Sequence, residues 1–294
     1  MRLKTLRVIV IWAAGILAFL VLMLLAAQQF LGPEVKKLFV TEINKSLASE
    51  VQIDDVELSF IKDFPFASIR FSGVRIKEAL KTPTKNNLLT ARTISMRFSI
   101  WNFIRKKYRV KNVMLDGVEI GPHIYADGSD NFHFWKQATG NSNENFNFEL
   151  QRISIKNLHL RYINDSKLTF LDIRMPGFVA KGNFGNSKYA LDLAGNILID
   201  EFKSQGASYV SDRSFNIWLL MDADNSTGQF NIKKGTLETG KLKLEAAGSL
   251  VYNTSQKKID LTVDATGSTF EEMLSLVPSK YTKSFNGYKF QGKG

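Results

Sequence analysis

The chain reads as mainly β: a long curved antiparallel sheet forming an open apolar groove, preceded by one transmembrane helix and a short amphipathic helix. Three observations lead there. Past residue 50, apolar residues fall at every second position through most of the chain, as in strands with one buried face. A six-residue unit (apolar, variable, then Gly, Asn or Asp, then apolar, variable, apolar) recurs at 53–58, 71–76, 110–115, 115–120 and 155–160. Residues 8–27 run for twenty positions with no charge and no proline.

That run comes first in chain order. At 1.5 Å rise per residue it spans roughly 30 Å, the thickness of a bilayer's hydrocarbon core. Arg2, Lys4 and Arg7 precede it in a tail over 1–7, so the N-terminus is expected on the cytoplasmic side and the remainder across the membrane. A cleaved signal peptide competes with this reading, but its apolar centre spans about 7–15 residues and the run here is longer. Residues 28–50 follow as a juxtamembrane segment. Within it Val35, Leu38, Phe39, Ile43 and Leu47 are spaced by three and four behind Pro33, which predicts a helix.

Strand alternation starts at Val51 and defines a proximal segment over 51–138. The polar stretch 139–147 is expected to be a loop, and 148–294 a distal β-segment that ends at Gly294 in what reads as the start of a further strand, so that it is expected to be truncated. Turn-rich joints such as DGSD at 127–130 separate the strands. Two places have helical character. Residues 101–108 break the alternation, and 268–277 place Phe270, Met273, Leu274 and Val277 at helical spacing behind a Ser/Thr–Glu cap, before Pro278.

Within the repeated unit the apolar positions are one, four and six. Strict alternation puts the first on the opposite face from the other two. One extra residue, a β-bulge at the Gly, Asn or Asp, restores a common face and bends the strand; a face switch without a bulge is the alternative. With the bulge, Val74 and Ile76, Val118 and Ile120, and Leu158 and Leu160 share the concave apolar face. Arg75, Glu119 and His159 then point away from it.

Catalytic residue types are sparse. The absence of cysteine excludes thiol and zinc–thiolate chemistry. His123, His133 and His159 are not spaced as metal ligands on one element, and DGSD lacks the acidic spacing of a calcium loop. No phosphate-cradling glycine loop and no glycine-flanked nucleophilic serine is present. The expectation is a non-enzyme with no metal and no cofactor. The net charge is +11, three of it in the first seven residues. A basic exported domain can lean on anionic head groups or present a solvated surface, and nucleic acid is not an expected partner across a membrane. The basic cluster at 105–109 reads as a solvated turn.

The ordered set of features resembles the N-terminal part of the AsmA family, relatives of the TamB-type proteins of Gram-negative envelopes, in a Bacteroidetes-like version. It comprises the anchor; VQIDDVELSF at 51–60; Phe64-Pro65 leading into SIRFSGVRI at 68–76; LLTARTISM at 88–96; VKNVMLDGVEI at 110–120; DGSDNF at 127–132; and MLSLVP at 273–278. The resemblance implies an inner-membrane protein with a periplasmic β-groove that binds phospholipid and carries it toward the outer membrane. A non-enzymatic scaffold or assembly factor for outer-membrane or periplasmic proteins is the second function class it leaves open.

Overall fold

The computed structural model describes residues 51–59, 66–79, 86–99, 108–133, 146–184, 186–253, 256–265, 267–274 and 276–277, together with residues 41, 49, 105 and 281. The expected membrane span at 8–27 and most of the juxtamembrane helix at 28–50 lie outside the described residues, as does most of 101–107. Among the described residues no helix is long and apolar enough to cross a membrane.

Among the described residues thirteen strands form one sheet. β1 (Val51–Gln52), β2 (Asp55–Ser59), β3 (Phe66–Lys77), β4 (Asn87–Ser99) and β5 (Tyr108–Ile120) make its proximal part, and β6 (His123–Ile124) prolongs β5. The distal part holds β7 (Phe146–Asn164), β8 (Thr169–Gly182), β9 (Lys188–Ser204), β10 (Ala207–Asp224), β11 (Gln229–Thr239), β12 (Leu242–Tyr252) and β13 (Lys257–Asp264). A short helix, α1 (Phe270–Leu274), follows β13. Its cap is reciprocal: the Glu272 amide donates to Thr269 Oγ1 at 3.2 Å and the Thr269 amide to Glu272 Oε2 at 2.8 Å, as the Ser/Thr–Glu spacing predicts.

Strand order follows chain order from β3 to β13, and the sheet is open, with β1/β2 at one end and β13 at the other. β1 and β2 pair with β3 in one continuous register (Gln52 opposite Arg75, Asp55 opposite Ser72), so they are one edge strand interrupted at Ile53 and Asp54. The expected antiparallel sheet needs one correction. β5 and β6 run parallel to β7. A tight hairpin can only return a strand antiparallel, but residues 125–145 are long enough to carry the chain back along the whole of β5 before β7 begins. The expected loop is also shorter than 139–147, because β7 already starts at Phe146, and the sheet continues from proximal to distal part through the β5–β7 ladder.

The repeated unit resolves into three local structures. At 110–112 it is a bulge: Phe98 pairs with Val110 but Arg97 with Asn112, so Lys111 is the extra residue. At 53–58 it is the interruption of the edge strand. At the other three copies the third residue is left-handed, with φ of 60° at Gly73, 62° at Gly117 and 53° at Asn157. No register shift occurs there, since Ser72 pairs with Thr93 and Val74 with Ala91, and likewise Thr93 with Asp116 and Ala91 with Val118. The two-against-one count expected of a bulge is therefore absent at these copies. Adjacent strands each spend one residue in the same transverse row, through Gly73, Arg92, Gly117 and Asn157, so the ladder keeps step.

This shared irregularity restores the common face that the bulge was expected to restore. Phe71 and Val74, three residues apart, both lie in the proximal core with Leu58, Ala67, Ile69, Ala91, Phe98 and Val118, so apolar side chains on either side of the row share a face. That core is well filled in β2–β5. Among the described distal residues only Ala180, Met221, Ala223, Ile232 and Leu242 are buried apolar side chains.

Candidate functional site

The register gathers all six residues singled out in the sequence into two neighbouring transverse rows. Ile76, Leu89, Ile120, Leu160, Ile173 and Ile199 stand opposite one another across β3, β4, β5, β7, β8 and β9. The adjacent row runs Val74, Ala91, Val118, Leu158, Met175. Residues directly opposite in a ladder point to the same face, so these rows make one continuous apolar surface.

The six are not equally accessible. Val74 and Val118 are 4% and 3% exposed and belong to the packed core, which removes them as primary ligand contacts. Ile76, Ile120, Leu158 and Leu160 are half-buried. The same half-buried state extends beyond the predicted residues through Ile153, Ile155, Ile173, Phe178, Leu193, Ile197, Ile199, Phe215, Ile217 and Leu219. Strands of 17 to 19 residues in β7, β9 and β10 give this surface a length of roughly 60 Å at about 3.3 Å per residue. Alternation signalled Leu193, Phe215, Ile217 and Leu219, whereas apolar runs such as 178–180 and 197–199 do not show which side chain faces the surface; the cross-strand register shows that they are contiguous.

Between the two apolar rows runs a polar one, Arg75, Thr90, Glu119, His159 and Arg174, on the opposite face. Its arginines are held by ion pairs. Arg75 Nη1 donates to Asp54 Oδ2 at 3.0 Å, and this guanidinium holds the Asp54 carboxyl below its ordinary range. Arg174 Nε donates to Asp200 Oδ2 at 2.6 Å, with the same effect on Asp200.

Each histidine sits against a carboxylate, which the sequence did not show. His123 Nε2 lies 2.8 Å from Asp165 Oδ2, His133 Nδ1 2.5 Å from Asp130 Oδ2, and His159 Nε2 2.6 Å from Asp172 Oδ1. Asp200 joins the last pair, so that one imidazole and two carboxylates from β7, β8 and β9 bring ligand atoms within 4.8 Å of one another. The donor set suits a divalent cation in kind. Its carboxylates are already engaged, however: Arg174 forks onto Asp200 and Arg161 reaches Asp172 at 3.4 Å. The cluster is a charge-balanced network on the polar face.

One end of the proximal sheet is closed by Asn131, which is 1% exposed. Its Oδ1 accepts from the His123 amide at 2.8 Å, while its Nδ2 donates to Glu78 Oε1 at 2.9 Å and to the Gly121 carbonyl at 3.0 Å. The DGSD segment forms the expected turn beside it, with Gly128 at φ 83° and the Ser129 amide donating to Asp127 Oδ1 at 2.9 Å.

Fold and surface together define a single open β-sheet, mostly antiparallel, with one apolar face and one charged face. Comparison of the sequence with protein-family models and with curated proteins finds no match.

Proposed function

We propose that this is a membrane-anchored β-groove protein that binds phospholipid acyl chains along its apolar face and carries them from the inner toward the outer membrane of a Gram-negative envelope. The observation that carries the reading is the continuous apolar face of β7–β10, where the side chains are left half-exposed, in contrast to the filled core of β2–β5. An acyl chain removes apolar area from water at about 25 cal/mol per Å², whether the other partner is protein or lipid. A lipid thus completes the burial that the distal strands leave unfinished. The basic tail and the apolar run at 8–27 supply the anchor, with the sheet on the periplasmic side.

Photo-crosslinking side chains placed at Ile120, Leu160 and Ile173 in cells test it. Phospholipid adducts at these positions, with none at Glu119, Arg161 and Arg174 on the charged face, are expected. Equal labelling of both faces, or protein adducts alone on the apolar face, overturns the conduit and leaves the assembly-factor reading.

A further inference from the structure

The two edges of the sheet differ. The β1/β2 edge is short, interrupted at Ile53 and Asp54, and lined with Asp54, Asp55 and Glu57, which are devices that discourage strand addition. Among the described residues β13 ends the sheet, with eight uninterrupted residues, all of them exposed. Its alternate residues Ile259, Leu261 and Val263 are 74%, 38% and 56% exposed. They continue the apolar face, since Ile259 stands opposite Leu250, Leu261 opposite Gly248 and Val263 opposite Ala246. Long, alternating and apolar on one side, β13 is a template for another strand.

We propose that the strand it takes is β13 of a second copy, paired antiparallel about a two-fold axis at Leu261. The sequence of the edge, KKIDLTVD at 257–264, is complementary to its own reverse in that register. Leu261 meets Leu261, Ile259 meets Val263, Asp260 meets Thr262, and Lys258 meets Asp264 at both ends. Moving the axis one residue either way sets Asp260 against Asp260 or against Asp264. Moving it by half a residue turns the apolar side chains of one copy onto the charged face of the other. The centred register alone joins apolar face to apolar face along the full strand without opposing like charges. With the axis normal to the sheet, the two apolar faces lie on the same side and form one surface of doubled width. The pairing is isologous and closes on itself, whereas β13 against β1/β2 would generate an open polymer. It does not depend on lipid being the ligand.

The test uses the full chain in detergent. Light scattering is expected to give a concentration-dependent dimer. Because the protein has no cysteine, Leu261→Cys is expected to cross-link across the axis under mild oxidation, while Lys257→Cys, whose two copies lie at opposite ends of the paired strands, is not. Lys258→Asp and Asp264→Lys are each expected to weaken dimerisation roughly tenfold by placing like charges opposite one another, and combining them to restore it. A monomer at all concentrations, open-ended polymers, association insensitive to Lys258→Asp, or no rescue in the double variant overturns the proposal.

Discussion

Gly117 and Asn157 occupy the same step of the parallel β5–β7 ladder, and both hold the left-handed backbone, at φ 62° and 53°. The Asn157 amide reinforces the step by donating from Nδ2 to Asp116 Oδ1 at 3.1 Å. An asparagine tolerates this conformation where most side chains resist it.

Glycine at this row is required for space as well as for φ. A Cβ on Gly117 would lie 2.9 Å from Arg92 Cβ, and one on Gly73 would lie 2.0 Å from Asp54 Oδ2. Gly117→Ala is expected to lower stability by about 2 kcal/mol, of which roughly 1–2 is the left-handed penalty. Gly128→Ala, with a similarly positive φ but nothing within 4 Å, is expected to show the conformational cost alone. Urea unfolding of the two variants orders them.

Truncation should separate core from surface along a single pair of rows. Val118→Ala removes a side chain that is 3% exposed and is expected to cost about 1–2 kcal/mol. Leu160→Ala, at the half-buried neighbouring row, is expected to cost less despite removing more atoms, and to reduce co-purified lipid. Chemical denaturation alongside lipid mass spectrometry measures both.

Asn131 satisfies three polar groups at once, and nothing else of its shape would. Asn131→Leu removes a hydrogen bond from each of the His123 amide, the Gly121 carbonyl and Glu78. A loss of about 2–3 kcal/mol is expected and, by hydrogen exchange, early opening of the turn at 125–130.

Acid should loosen the sheet. The carboxyls of Asp54, Asp200 and Asp224 are all held below the ordinary range, by Arg75, by Arg174, and by the Ser226 hydroxyl followed by the Lys188 ammonium, respectively. A carboxyl with a folded-state pKa below its unfolded value binds fewer protons when folded, so its contribution is complete above the unfolded value, near 4, and is lost as pH falls through the folded one. Melting temperature is expected to hold level from pH 8 to about 5 and to drop below about pH 4. Asp224→Asn is expected to shrink the drop.

Period-two alternation made nearly every strand after residue 50 legible, and the Ser/Thr–Glu cap marked α1. The direction of β7 was not legible, because alternation reads the same in parallel and antiparallel pairing. The left-handed steps could be read at Gly73, Gly117 and Asn157, but Arg92, their partner on β4, carries no local sign of belonging to that row. The same limit hid the carboxylate beside each histidine: His159 and Asp200 are brought together by register across three strands. Burial was the other gap, since Val74 and Ile76 look alike in sequence and only the cross-strand register, which sets Val74 in line with Ala91 and Val118, shows the first to be a core residue.

Strand order that follows chain order gives the molecule the energetics of a stacked array. From β3 to β13 every ladder joins strands adjacent in the order, and each interface is closed by a local hairpin except the one between β5 and β7. Stability in such an array is close to a sum of strand and nearest-neighbour terms, so opening can advance one hairpin at a time. It should start at β13, which among the described residues has a single neighbouring strand and no buried residue, and stop at the filled interior of β3–β5. The distal strands are therefore expected to open and re-form while the proximal block stays folded.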